Sequence, residues 1–176
     1  DLVLLRAQVD FLEAANPKGE HTLGARLRLA WATACLAETN HHGDLDPELS
    51  EQTRQLAEQT LLEDARTACL GELYRAVYAT NAFDFAGARA ILSPWAERDP
   101  LVLGARLRGR VLSSLGQHAA FLGEPGAAEQ LDAALAAFEA LSQPEDRERE
   151  AEQTTAYRAI VAMDDPAVDD AQALAW

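Results

Sequence analysis

Lysine is almost missing from this chain: Lys18 is the only one among 15 basic residues, so nearly every positive charge is a guanidinium. A GC-rich coding bias and a salt-adapted surface explain that scarcity equally well. Positive charge as a whole is also short, at 15 Lys and Arg against 29 Asp and Glu, for a net charge of −14. Such a surface repels nucleic acid and anionic membranes at long range, which disfavours direct nucleic-acid binding. Cysteine is limited to Cys35 and Cys69, without the close pair that zinc and redox sites need. The two read as reduced, buried small hydrophobes rather than as a disulfide or a reactive thiol, and the expected location is cytoplasmic. No apolar run reaches the roughly 18 residues of a membrane span, and no charged-then-apolar leader opens the chain. Position 1 is Asp1 rather than an initiator Met, so the 176 residues are expected to be one domain excised from a longer protein. Valine and isoleucine are few, aromatics are limited to five Phe, three Tyr and three Trp, and Ala and Leu dominate the 48% apolar share. That balance favours helix over sheet.

What the chain does contain is an echo. Leu23-Gly24-Ala25-Arg26-Leu27-Arg28 recurs as Leu103-Gly104-Ala105-Arg106-Leu107-Arg108, and Gly43 keeps the same register to Gly123. Self-similarity of this kind points to duplicated helical units. Residues 2 to 15 predict a helix on Leu2, Leu5, Val9 and Leu12, ended by Asn16-Pro17 and Gly19. A second spans about 21 to 40, and a third opens at Pro47 behind an Asp46 cap, burying Leu49, Thr53 and Leu56. Further helices are expected over about 65 to 80, from Phe85 to Leu92 with Pro94 as punctuation, and over about 101 to 121. The next has the stripe Ala128, Leu131, Leu135, Phe138 and Leu141, and Ser142 to Glu145 has the spacing of a capping box for an eighth. Asp165-Pro166 opens a last helix to Trp176, which makes about nine in an all-α chain.

Leu115-Gly116, Gly123-Glu124 and Ala128, and separately Leu70-Gly71, Tyr74, Asp84, Ala88, Leu92 and Asp99-Pro100, stand at spacings that resemble the tetratricopeptide repeat. Gly43-Asp44 keeps only the turn of a third copy. The departures are Asp132 at a usual aromatic position, overlong first helices, and unit starts near 21, 67, 100 and 144 instead of a steady period. The resemblance implies antiparallel helix pairs stacked as a short right-handed α-α superhelix over residues 1 to 176; the rival architecture is an irregular helical bundle.

No phosphate loop, nucleophile elbow or His-Glu-x-x-His motif is present, so no catalytic role, cofactor or metal is expected. His41-His42 with Asp44 and Asp46 has the residue types of a metal site, but adjacent histidines diverge and no second ligand group follows. His118 stands alone and reads as a packed or surface histidine, and the Glu145 to Glu150 run as a solvated face. In the repeat family, ligand peptides lie on the concave face of the first helix of each pair. Carried over residue by residue, that implies Arg110, Ser113 and Gln117 in the later unit, Glu72 and Arg75 in the middle one, and Thr33 and Asn40 in the early one. Arginine forks hold carboxylates, which points to an acidic or C-terminal peptide; the alternative is that these are plain solvated polar groups.

Two functions follow as expectations. One is a scaffold that binds a protein, peptide or partner helix without catalysis. The other is a ligand-sensing or regulatory arm of a larger signalling or transcription-regulatory protein. Self-association as a homodimer is expected through the apolar ends, Leu2, Leu4 and Leu5 at one and Trp176 at the other.

Overall fold

The computed structural model describes residues 2–17, 19–40, 47–60 and 65–163, without the side chains of residues 20, 34–40, 47, 50 and 58–60. All regular structure among the described residues is helical: α1 (Leu2–Ala15), α2 (Glu20–Asn40), α3 (Pro47–Thr60), α4 (Ala65–Asn81), α5 (Phe85–Ala96), α6 (Pro100–Leu122), α7 (Ala127–Glu139) and α8 (Pro144–Met163). The expected final helix from Asp165, the Asp46 cap and the His41-His42 group lie outside the described residues. Among those described, no helix is long and apolar enough to cross a membrane. The chain divides into two compact units, Asp1–Tyr78 and Ala79–Trp176.

In the first unit α2 packs on both α1 and α3. Its core joins Leu27 and Ala30 to Leu56 and Ala57, with Tyr74 of α4 packed against them. The ring of Trp31 stacks on Tyr74 at 5.5 Å and meets Tyr78 edge-on at 5.1 Å. The α3 pattern works as its sequence suggests: Thr53 and Leu56 are buried, while Glu51, Arg54 and Gln55 stay exposed. Thr53 satisfies its buried hydroxyl by donating to the Leu49 carbonyl at 2.9 Å. Cys69 is buried and free, and burial first, with the Glu72 charge second, pushes its thiol up to about 12, so it is inert at neutral pH. The Cys35 side chain is outside the described residues.

In the second unit α6 is the central element, packed on α5, α7 and α8. Asp99 opens it by accepting from the Leu101 amide at 2.9 Å with Pro100 at the first turn, and Gly123 closes it in the left-handed conformation. Asp84 does the same for α5 by accepting from the Gly87 amide at 2.8 Å. Two boundaries differ from the sequence reading. The α5 helix runs through Pro94 to Ala96, one turn past the expected stop, with Ser93 donating to the Arg89 carbonyl at 2.8 Å. The start of α8 lies one residue beyond the capping-box register, since proline is best tolerated at a first helical position and Gln143 supplies the carbonyl for the Arg147 amide. The buried stripe of α7 is Ala127, Leu131, Ala134 and Phe138, rotated from the expected one so that Ala128 and Leu135 are only half-buried.

Small residues set the spacing between α6 and α7. A Cβ on Gly109 would sit 2.3 Å from a ring carbon of Phe138, and one on Gly116 would sit 2.7 Å from Leu131 Cγ. Phe138 therefore lies in a notch that only glycine leaves open, against Leu112 and Ala134.

The echoed motif does not repeat its backbone. Gly104 takes φ 75 and ψ 164, a non-helical kink inside α6, whereas Gly24 continues α2 with no neighbour within 4 Å of a built Cβ. Opposite responses are expected. Gly24→Ala should raise stability by up to about 1 kcal/mol through helix propensity, while Gly104→Ala should lower it by about 1–3 kcal/mol because that region of backbone space is essentially closed to L side chains. Urea denaturation of the two variants checks the pair.

Candidate functional site

The expected ligand-facing positions of α6 lie in a polar seam with α8. Arg110 donates twice to Glu150, Nε to Oε2 at 2.7 Å and Nη2 to Oε1 at 2.6 Å. The Glu150 carboxylate is only 6% exposed, and Arg106 reaches both it, at 3.3 Å, and Asp146. One turn on, the hydroxyls of Ser113 and Thr154 meet at 2.7 Å, and after another turn Gln117 Nε2 donates to Tyr157 Oη at 2.6 Å. The steps 106, 110, 113, 117 and 146, 150, 154, 157 are the i, i+3 and i+4 rows that place side chains on one face of a helix. Arg110, Ser113 and Gln117 thus come together, and their partners come from this chain. Asp132, the departure from the repeat pattern, accepts from Arg158 of α8 at 2.8 Å.

The positions expected in the first unit are scattered. Glu72 is buried and accepts from Arg75 at 2.8 Å, within one helix. Thr33 donates to the Leu29 carbonyl at 2.7 Å and lines a cavity of about 340 Å³. The side chain of Asn40 lies outside the described residues.

A second surface in unit 2 was not singled out by sequence. Four aromatic rings, from the α4–α5 turn, α5, α6 and α8, form a ladder: Phe83 meets Phe85 edge-on at 6.3 Å, Phe85 stacks on Phe121 at 4.6 Å, and Phe121 meets Tyr157 at 6.1 Å. Phe83 is 82% exposed and Phe121 54%, with Leu122 and Ile160 also open to solvent. Phe83 also carries a positive φ of 60 in the turn between α4 and α5. A bulky residue in left-handed backbone costs on the order of 1 kcal/mol, and such strain concentrates where a side chain is held for use.

Beneath the ladder lies His118. Its ring is 6.3 Å from Phe85 and 2% exposed, and its Nε2 is 2.8 Å from Thr80 Oγ1. Burial, and then the Arg89 charge, hold it down at about 4, so the imidazole is neutral near pH 7. Arg89 is itself paired with Glu124 at 2.7 Å. Nδ1 has no hydrogen-bond partner among the described residues.

No group of three or more His, Cys, Asp or Glu among the described residues is placed to hold a metal ion. The signal for the ladder was present but weak. Phe83 occupies the turn position where a helix end usually has Gly or Asn, and Phe121-Leu122 brings apolar side chains to the last turn before Gly123. Comparison of the chain with family models, with curated proteins and with solved structures finds no significant match.

Proposed function

We propose that the chain is a tetratricopeptide-like interaction module rather than an enzyme, and that its second unit receives an apolar helix or peptide of a partner protein on the aromatic ladder. The observation that carries this reading is Phe83, a large apolar side chain 82% exposed on a left-handed backbone. Neither its exposure nor its conformation helps folding. Both suit an anchor, because aromatic side chains dominate interface energetics and contiguous exposed apolar surface is scarce on monomers. The repeat-like architecture is supported by the succession α6, α7 and α8, with Gly109 and Gly116 at the close approach and Gly123 at the turn.

The partner's chemistry follows from charge. Arg110 is spent on Glu150, and Arg106 on Asp146 and Glu150, so the seam has no open fork to offer an acidic peptide. Against a chain of net charge −14, an apolar segment flanked by Lys and Arg is the complementary ligand.

Phe83→Gly separates the two roles of this position. It should leave stability within about 0.5 kcal/mol of the parent, as the backbone strain released, on the order of 1 kcal/mol, offsets the lost edge contact with Phe85. Binding should fall. Selection of a displayed random-peptide library on the chain is expected to enrich sequences with apolar residues at helical spacing and basic flanks. Those peptides should bind a Phe83→Gly/Phe121→Ser variant at least about tenfold more weakly, which corresponds to about 1.4 kcal/mol. Peptides that bind variant and parent alike would remove the ladder from the account.

A further inference from the structure

The first unit holds a cavity of about 340 Å³ that the aromatic ladder, in the other unit, leaves unexplained. Its size lies at the small end of ligand sites, which run from about 300 to 1,000 Å³. The floor is apolar, with Val9 of α1, Ala30 of α2 and Leu56 of α3 only 3%, 6% and 4% exposed, and the half-buried Leu29 and Leu49 wall it with the apolar surface a ligand can reach. Three helices thus each supply one side chain of a compact greasy base.

The rim is polar and unevenly charged. Arg6, Arg26 and Glu13 line it, giving two guanidinium groups to one carboxylate in a chain that is otherwise strongly acidic. Arg26 and Glu13 approach only to 3.6 Å, with both side chains more than 40% exposed, so their pairing is loose. Arg6 makes no hydrogen bond or ion pair among the described residues. Gln52 adds an amide at the same rim, and Thr33, which donates to its own helix, leaves its oxygen as an acceptor.

We propose that this cavity binds a small organic monocarboxylate with a compact apolar tail, its carboxylate on the guanidinium of Arg6 and its tail against Leu29 and Leu49, above Val9, Ala30 and Leu56. Charge and shape argue together. The rim donor without a partner among the described residues is a planar fork suited to a carboxylate, and the base beneath it is apolar. Polyanions are disfavoured because the surrounding acidic surface repels them, whereas a single negative charge needs only one partner. A cationic ligand meets a second guanidinium for every carboxylate it finds. The proposal does not depend on the aromatic ladder, since every residue it uses belongs to the first unit.

The test uses the whole chain with hexanoate, hexan-1-ol and hexylamine as probes, followed through backbone amide shifts. Hexanoate is expected to give saturable shifts at Arg6, Val9 and Thr33 in the millimolar range, with hexan-1-ol and hexylamine at least about tenfold weaker. Arg6→Gln, at an exposed position without a hydrogen bond or ion pair among the described residues, should weaken hexanoate by a similar factor while leaving the amide spectrum of the second unit unchanged. Equal binding of hexan-1-ol would reduce the cavity to an apolar hole, tighter hexylamine would make Glu13 the anchor, and hexanoate shifts that persist in Arg6→Gln would remove the guanidinium. Each of those results, like the lack of any saturable shift, overturns the proposal.

Discussion

Gly109→Ala is expected to destabilise the second unit by about 3 kcal/mol, near the top of the range for overpacked cores. The methyl group would sit 2.3, 2.6 and 2.8 Å from three carbons of the Phe138 ring, and Phe138 is 2% exposed and packed with Leu112 and Ala134. Helix propensity pulls the other way, since alanine gains about 1 kcal/mol over glycine in a helix interior. Steric overlap decides the sign. The complementary change, Phe138→Ala, empties the notch and should cost about 3–5 kcal/mol. Because the two side chains share one space, the double variant should be far less damaged than the sum of the two, and a double-mutant cycle measured by hydrogen exchange in α6 and α7 reads that coupling.

Acidification is the second large effect. In the unfolded chain His118 titrates near its ordinary 6.5, but in the fold, burial and then Arg89 hold it at about 4. Between those values the unfolded chain takes up a proton that the folded chain refuses. The stabilisation is therefore complete above pH 6.5 and is lost as the pH falls toward 4, by up to about 3 kcal/mol at about 1.4 kcal/mol per unit. Glu51 adds a separate loss at lower pH. Its hydrogen bonds from Arg54, first, and Gln55 hold its carboxyl down at about 2, so its contribution fades below about 4.5. His118→Gln keeps a nitrogen for Thr80 but cannot titrate. Denaturation of parent and variant between pH 7 and 4 should give curves that converge on acidification, and parallel curves would show that the buried imidazole plays no part.

Much of the helical layout was legible before any coordinates. Capping residues and proline punctuate it, and α1, α2, α4 and α6 begin and end within a residue or so of where Asn16-Pro17, Asn81 to Asp84, Asp99-Pro100 and Gly123 place them. The signals that misled are those whose meaning depends on tertiary packing. Pro94 reads as a stop, yet a proline near a helix end sacrifices only one donor and α5 continues through it. The repeated Leu-Gly-Ala-Arg-Leu-Arg reads as two equivalent helix segments, yet identical residues are helical at Gly24 and kinked at Gly104. Arg110, Ser113 and Gln117 were recognisable as one polar face. Their partners were not, since Glu150, Thr154 and Tyr157 lie some forty residues away in a segment whose charges look like ordinary solvated surface. Phe83 could not be found by periodicity at all, because its distinction is a backbone angle.

The seam and the ladder make different demands on a bound peptide, and this provides the deciding measurement. Ring and amide signals of the chain are to be recorded as a library-selected peptide is added. Binding on the ladder shifts the rings of Phe83, Phe85, Phe121 and Tyr157 and leaves the Arg110–Glu150 pair intact, which is the expected result. Shifts centred on Arg110, Ser113 and Gln117, with release of Glu150 and Thr154 from them, would mean that the peptide displaces α8 and would contradict the ladder as the docking surface.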